Sequence, residues 1–248
     1  PLLGISLAVA GCDAGPEQSH EVSPAGHGTP TASTAKANQH VLERRPFDNR
    51  DDFENARRGL IAQNPGLVVE HLDGGEVWNM PDYDFIDPEG ENAPASVNPS
   101  LWRQAALNNI HGLFEVTEGL YQIRGYDLAN MSIIESDTGW ILVDPLTARE
   151  TASEAFLFAR EHLGEKPVRA IIFTHSHIDH FGGVQGVLQH LSEEERASLR
   201  IIAPAGFEEE ATSENIIAGP AMTRRAMFMY GKQLGRDDRG HVGSGLGK

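Results

Sequence analysis

Four side chains of the types that bind metal ions lie close together in the middle of the chain. They are His175, His177, Asp179 and His180. They follow an apolar run, residues 168–173, whose β-branched residues predict a buried strand, and the apolar positions after Gly183 predict a helix. The four residues therefore lie where the carboxyl end of a strand meets the start of a helix, a frequent position for sites in α/β folds.

The spacing of these residues indicates how they would bind metal. His175 and His177 are two positions apart, so their side chains share one face if the extended backbone continues. Two imidazoles on one face hold one ion, and Asp179 with His180 hold a second in the loop that follows. Imidazole nitrogen with carboxylate oxygen favours Zn²⁺ over Fe or Mn. A set of solvated loop residues is the alternative, but four ligand-type side chains behind a buried strand are unusual for it.

The composition bounds the size and the class of the protein. The 248 residues are 40% hydrophobic, which is enough for one sizeable core. The formal net charge of -16 repels phosphate backbones, so we expect no nucleic-acid partner. The single cysteine, Cys12, excludes an internal disulfide and a cysteine-rich zinc site.

The first residues are typical of an export signal. Residues 1–12 read as the remnant of a signal peptide, and Ala8-Val9-Ala10 fits a cleavage site. The sequence from Val9 to Cys12 also resembles a bacterial lipobox, which predicts a lipid anchor at Cys12; cleavage after Ala10 is the alternative. Both interpretations predict a protein exported to the periplasm, free or as a membrane-anchored lipoprotein. Residues 13–36, rich in Gly, Pro, Ser and Thr, predict a flexible tether.

The remaining residues, 37–248, predict alternating elements that would position the metal ligands. Strands are predicted at residues 67–71, 76–78, 113–117, 120–124, 131–135, 140–143, 168–173 and 199–203. Helices are predicted at residues 37–45, 51–63, 98–109, 148–163, 184–191, 207–217 and 222–234. The Met and Phe stripe of the last helix predicts a core-facing side. An antiparallel meander followed by β-α-β-α indicates an α/β (α+β) fold.

The pattern Thr-His-x-His-x-Asp-His-x-Gly-Gly at residues 174–183 resembles the metal-binding motif of the metallo-β-lactamase superfamily. The resemblance implies an αββα sandwich, incomplete at its C-terminal side in this chain. Asp144, which follows the predicted strand 140–143, matches another motif of the superfamily. Its role would be to accept hydrogen bonds that brace the metal loop, and a plain N-cap of the next helix is equally open.

Longer stretches resemble one branch of the superfamily, the bacterial alkyl sulfatases that hydrolyse dodecyl sulfate. They are residues 51–62, 98–104, 113–131, 138–147 and 240–247. The resemblance implies a homodimeric dizinc hydrolase of primary alkyl sulfate esters, which acts through a metal-bridging hydroxide and releases alcohol and inorganic sulfate. His175 and His177 would bind one zinc, and Asp179 with His180 the other. Asp179 would also orient the hydroxide, as a catalytic residue.

The resemblance also implies metal ligands and sulfate-binding residues beyond position 248. Residues 37–248 would then be the N-terminal part of a catalytic domain, and we expect this part alone to bind zinc weakly and to be inactive. Two alternatives stay open. One is another hydrolase of the same fold, such as a lactonase or a β-lactamase, and the other is a non-catalytic exported metal-binding lipoprotein.

Overall fold

The computed structural model describes residues 21–248 as a mixed α/β chain built around one large sheet. The strands are β1 Leu60–Ala62, β2 Val68–Glu70, β3 Glu76–Asn79, β4 Gly112–Thr117, β5 Leu120–Arg124, β6 Met131–Ser136, β7 Gly139–Val143, β8 Val168–Ile172 and β9 Arg200–Ile202. The helices are α1 Ala32–Leu42, α2 Asp51–Arg57, α3 Pro99–Asn108, α4 Arg149–Leu163, α5 Val184–Leu188, α6 Glu193–Ser198, α7 Phe207–Thr212 and α8 Gly219–Tyr230. The α/β fold class expected from the sequence is confirmed.

The large sheet has seven strands in the order β1-β4-β5-β6-β7-β8-β9, and β2 pairs with β3 in a separate ribbon. The pairs from β1 to β7 are antiparallel, whereas β7, β8 and β9 run parallel. Parallel neighbours need a crossover connection, and α4 supplies it between β7 and β8. Val143 pairs with Ile172, so the carboxyl ends of β7 and β8 lie side by side. This juxtaposition positions the site.

The main core lies between the sheet and α4. Ala152, Ala155, Phe156 and Ala159 recur at helical spacing, and all four are fully buried. The Phe156 ring meets the ring of Trp140 from β7 edge to face, with centroids 6.3 Å apart. Burying one such aromatic side chain stabilises a fold by roughly 1.5–3 kcal/mol. The crossover helix is therefore fixed firmly against the strands that end at the site.

The N-terminal boundary differs from the expected one. Residues 1–20, and with them the expected signal remnant and Cys12, lie outside the described residues. The end of the expected tether 13–36 lies in a helix, because α1 begins at Ala32 with Thr31 as a side-chain N-cap. The loop before it is held by Ser23 and His27, which both hydrogen-bond to Asp237. That contact spans more than two hundred residues, so local composition gave no sign of it.

The helix expected at residues 51–63 is wrong in its second half. The helix α2 ends at Arg57, and β1 follows at Leu60–Ala62. Gly59 adopts φ +73°, and a Cβ there would lie 2.0 Å from the carbonyl oxygen of Glu115. Only glycine permits this approach, and the Gly59 carbonyl accepts a hydrogen bond from the Glu115 N–H at 2.7 Å. Pairing with β4 therefore prevails over the local helical preference.

The apolar stripe of the last helix does not face the core, contrary to expectation. α8 has no buried residue, and Phe228 is 90% exposed. The prediction was wrong because an apolar stripe favours burial of one helix side but does not identify a surface that covers it.

The sequence did not predict the short helix α6, although Ser192 and Glu195 form a capping box at its start. No helix among residues 21–248 is both long and apolar enough to cross a bilayer.

Candidate metal centre

Asp144 lies directly after β7, next to the start of the loop that follows β8. Its backbone N–H donates to the carbonyl of Ile172 at 2.9 Å, which extends the parallel pairing by one residue. The residue is buried, at 7% exposure, and its carboxylate accepts two hydrogen bonds from Thr174, at 2.8 Å from the N–H and 2.7 Å from the hydroxyl. The carboxylate therefore anchors the residue that precedes the first histidine of the motif.

The same carboxylate reaches His180. Asp144 Oδ2 lies 2.8 Å from Nδ1 of His180. Because a carboxylate accepts, this contact places the imidazole proton on Nδ1 and leaves the lone pair on Nε2 available to a ligand. The N-cap of α4 is Ala148, so Asp144 does not cap that helix. Asp144 therefore accepts hydrogen bonds from Thr174 and His180 of the motif, and its role at a metal centre stays a prediction.

The three motif histidines have neighbouring rings. The centroid of His175 lies 4.5 Å from that of His177 and 4.1 Å from that of His180. Asp179 belongs to the 3-10 turn Ile178–His180, and its Oδ2 lies 3.4 Å from Nε2 of His180. The hydroxyl of Thr174 lies 2.9 Å from Nδ1 of His175. The fold thus brings all four residues of the predicted ligand set to one place.

The chemistry of this set fits a divalent metal ion. Three imidazoles and one carboxylate are ligands that Zn²⁺ accepts. The hydrogen bond of Asp144 to Nδ1 of His180 leaves Nε2 as the nitrogen that would bind the ion. Within residues 21–248, no three His, Cys, Asp or Glu side chains are arranged as a ready coordination shell. The side chain of His177 is 56% exposed and turns toward Glu214. The donors are therefore gathered, but their side chains are not yet directed at a common point.

Glycines allow the metal loop to pack closely against its neighbour. A Cβ on Gly182 would lie 2.4 Å from the carbonyl oxygen of Thr147, and one on Gly183 would lie 2.3 Å from that of Pro145. The N–H of Gly183 donates to the carbonyl of Leu146 at 2.8 Å. The loop after β7 and the loop after β8 are therefore in direct backbone contact, which a side chain at either glycine would obstruct.

The comparisons with known proteins agree with this geometry. A family model described as the metallo-beta-lactamase superfamily matches residues 124–243. A linear primary-alkylsulfatase of a Pseudomonas species is 47% identical over 217 residues, which are 88% of this chain and 32% of the relative. The chain belongs to the alkylsulfatase branch of the metallo-β-lactamase superfamily.

Two further relatives support the same family assignment. An alkyl/aryl-sulfatase of Saccharomyces cerevisiae is 47% identical and covers 87% of the chain and 33% of the relative. The structure of the stereoselective inverting sec-alkylsulfatase Pisa1 from a Pseudomonas species superposes with a TM-score of 0.81. It is 45% identical and covers 91% of this chain and 35% of Pisa1. The chain spans about a third of the length of these relatives.

One contact of this site escaped the sequence analysis. Glu214 lies in the single π-helical turn Ser213–Ile217, and its Oε1 is 3.2 Å from Nε2 of His177. Such turns are frequent at functional sites. No spacing relative to the histidine motif indicates this residue, because it reaches the site only through the path of the chain after β9. A π-turn cannot be recognised from a single sequence.

Proposed function

We propose that the protein is a metal-dependent hydrolase of alkyl sulfate esters. A primary ester such as dodecyl sulfate would be split into alcohol and inorganic sulfate. The observation that carries the proposal is the convergence of His175, His177 and His180 beside Asp144. The alkylsulfatase names of relatives at 47% identity support the ester class.

Each residue of the motif has a role in this proposal. His175 and His177 would hold one Zn²⁺, and Asp179 with His180 would hold the second. Asp144 keeps Nδ1 of His180 protonated, so that Nε2 is the ligating atom. Two bound zinc ions would supply Lewis acidity and activate water for attack at neutral pH. Asp179 would orient the attacking water.

The ligand count sets a condition on activity. Each ion receives two ligands from the motif, whereas a catalytic zinc usually has three protein ligands and a water. We therefore propose that residues 21–248 alone bind zinc weakly and do not release sulfate. Further ligands would come from a region that the relatives have and this chain does not span.

The test measures zinc content and sulfate release together. The full natural protein is expected to release sulfate from dodecyl sulfate, to lose that activity with a chelator, and to regain it with Zn²⁺. Preference for a lactone or a penicillin over dodecyl sulfate would contradict the proposal in favour of another hydrolase. Zinc binding without turnover of any of these three compounds would support a non-catalytic metal-binding protein instead.

Location and assembly are separate proposals. We propose export to the periplasm with a lipid anchor at Cys12, which radiolabelled fatty-acid incorporation and its loss in Cys12→Ser would test.

We also propose a homodimer for the full natural protein, and analytical ultracentrifugation would test it. A monomer at micromolar concentration would contradict that assembly.

A further inference from the structure

A second buried carboxylate, that of Asp127, holds the far end of the loop that carries Asp144. Asp127 lies after β5 and is 6% exposed. Its donors are the N–H groups of Leu128, Thr147 and Ala148 and the hydroxyls of Thr147 and Thr151. The Thr147 hydroxyl donates at 2.5 Å. Thr147 and Ala148 belong to the segment that joins Asp144 to α4, and Thr151 lies in the first turn of α4.

The segment between Asp144 and α4 is conformationally strained. Asp144 has φ 56° and Leu146 has φ 65°, and they are the two non-glycine residues with positive φ among residues 21–248. A non-glycine residue in this region is strained and persists only where the surrounding contacts hold it there. Leu146 is fully buried in the main core, so its side chain cannot move to relieve the strain.

Hydrogen bonds hold this turn in place from two sides. Gly183 donates its N–H to the carbonyl of Leu146 at 2.8 Å, on the side of the metal loop. Asp127 accepts the N–H groups of Thr147 and Ala148 on the other side, at 3.1 Å and 3.3 Å. α4 has no side-chain cap of its own, so the Asp127 carboxylate also places negative charge at the start of that helix.

We infer that Asp127 is a positioning residue for the metal centre. It holds the strained turn so that the Asp144 carboxylate meets Nδ1 of His180 and the hydroxyl of Thr174. Its effect on catalysis rests on the proposed function, whereas its effect on the Asp144–His180 hydrogen bond does not. None of the donors to Asp127 belongs to the predicted metal ligands.

The chain offers a matched control. Asp237 is also a buried carboxylate, 7% exposed, with several donors. It accepts from Ser23, from His27 at 3.0 Å and from the N–H of Arg239 at 2.9 Å. Its contacts join two loops remote from the Asp144 turn in sequence. Asp127→Asn and Asp237→Asn therefore remove the same charge from two similar environments.

The experiment follows the His180 imidazole by ¹⁵N–¹H NMR in metal-free protein, at a temperature where both variants are folded. Native protein and Asp237→Asn are expected to show a protected Nδ1–H signal and a single tautomer for His180. Asp127→Asn is expected to lose that signal. Its Zn²⁺ affinity is expected to fall by about tenfold, the low end for groups that orient ligands.

A milder pair keeps the test informative if Asp127→Asn does not fold. Thr147→Val removes one hydroxyl donor to Asp127, and Thr147→Ser retains it, so only the valine variant is expected to weaken the His180 signal. An unchanged His180 signal in folded Asp127→Asn, or equal signals in both Thr147 variants, would overturn the inference. Because the NMR measurement needs neither metal nor substrate, a failure of the proposed alkyl sulfate hydrolysis leaves its result standing.

Discussion

Asp144 Oδ2 and His180 Nδ1 are 2.8 Å apart, across the gap between the ends of two parallel strands. The contact joins the loop after β7 to the turn after β8. The contact places the imidazole proton on Nδ1, so that Nε2 carries the lone pair that a metal ion requires. A carboxylate outside the predicted ligand set thus orients a histidine that belongs to that set.

Replacing Asp144 tests this relationship directly. Asp144→Ala is expected to lower Zn²⁺ affinity by about 10–100-fold, because His180 loses the partner that orients its ring. Isothermal titration calorimetry measures the change. Asp137→Ala, at an exposed turn between β6 and β7, is the control and should bind zinc like the native protein. Equal affinities in the two variants would show that the contact does not matter to metal binding.

Removing a ligand should have a larger effect than removing an exposed histidine elsewhere. His177→Ala is expected to abolish zinc binding at one of the two proposed positions and to eliminate sulfate release by the full natural protein. His71→Ala is the matched control, because the His71 side chain is 48% exposed compared with 56% for His177. Metal analysis after dialysis gives the zinc content of each variant. Unchanged zinc content in His177→Ala would remove this residue from the ligand set.

A methyl group at Gly183 should separate the two loops. The added Cβ would lie 2.3 Å from the carbonyl oxygen of Pro145 and 2.7 Å from that of Ala148. Gly183→Ala is therefore expected to lower the free energy of unfolding by about 2 kcal/mol, as overpacking does. Urea denaturation measures it. Gly66→Ala is the control, since its nearest neighbour, Asn64 Oδ1, is 4.0 Å away; an equal loss there would contradict the explanation.

Two histidines away from the metal loop should make stability fall in mild acid. Burial, followed by the charge of Arg160, lowers the pKa of His190, and burial followed by Arg236 lowers that of His241. Unfolded histidine binds a proton near pH 6.5, about its ordinary pKa, so between that pH and the lower folded values the unfolded chain binds more protons. The stability that the two histidines contribute is therefore complete above about pH 6.5 and is lost as the pH falls below it.

Urea midpoints at pH about 7.5 and about 5.5, where carboxylates stay ionised, measure this loss. The double variant His190→Gln with His241→Gln is expected to show a smaller pH dependence than the native protein. His40→Gln on the exposed side of α1 is the control and should keep the native dependence. A double variant with the native slope would assign the acid sensitivity to other groups.

The sequence predicted local elements well where their apolar pattern and their turn residues agreed. Alternation and glycine-containing turns indicated both hairpins, β4 with β5 and β6 with β7, at nearly their final bounds. Asn98 and Pro99 indicated the start of α3, where the Asn98 side chain accepts the N–H of Ser100. In each case the deciding interactions lie within a few residues along the chain.

The errors occurred where distant residues decide. Asp237 orders the loop around Ser23 and His27, and Glu115 draws Gly59 into the sheet. The exposed apolar side of α8 shows the reverse case, since a helical stripe predicts burial without naming the surface that would bury it. Contacts between remote segments leave no mark in the pattern of either segment alone.

The sequence by itself determined the types and spacing of the predicted ligands and the strand that precedes them, because these depend on side-chain chemistry and short-range periodicity. Only the tertiary structure decided which nitrogen of His180 faces Asp144, since that depends on Asp144 arriving from another strand. It also decided that Glu214 reaches His177 and that Asp127 holds a strained turn, because both contacts form between segments brought together by the parallel sheet and its crossover.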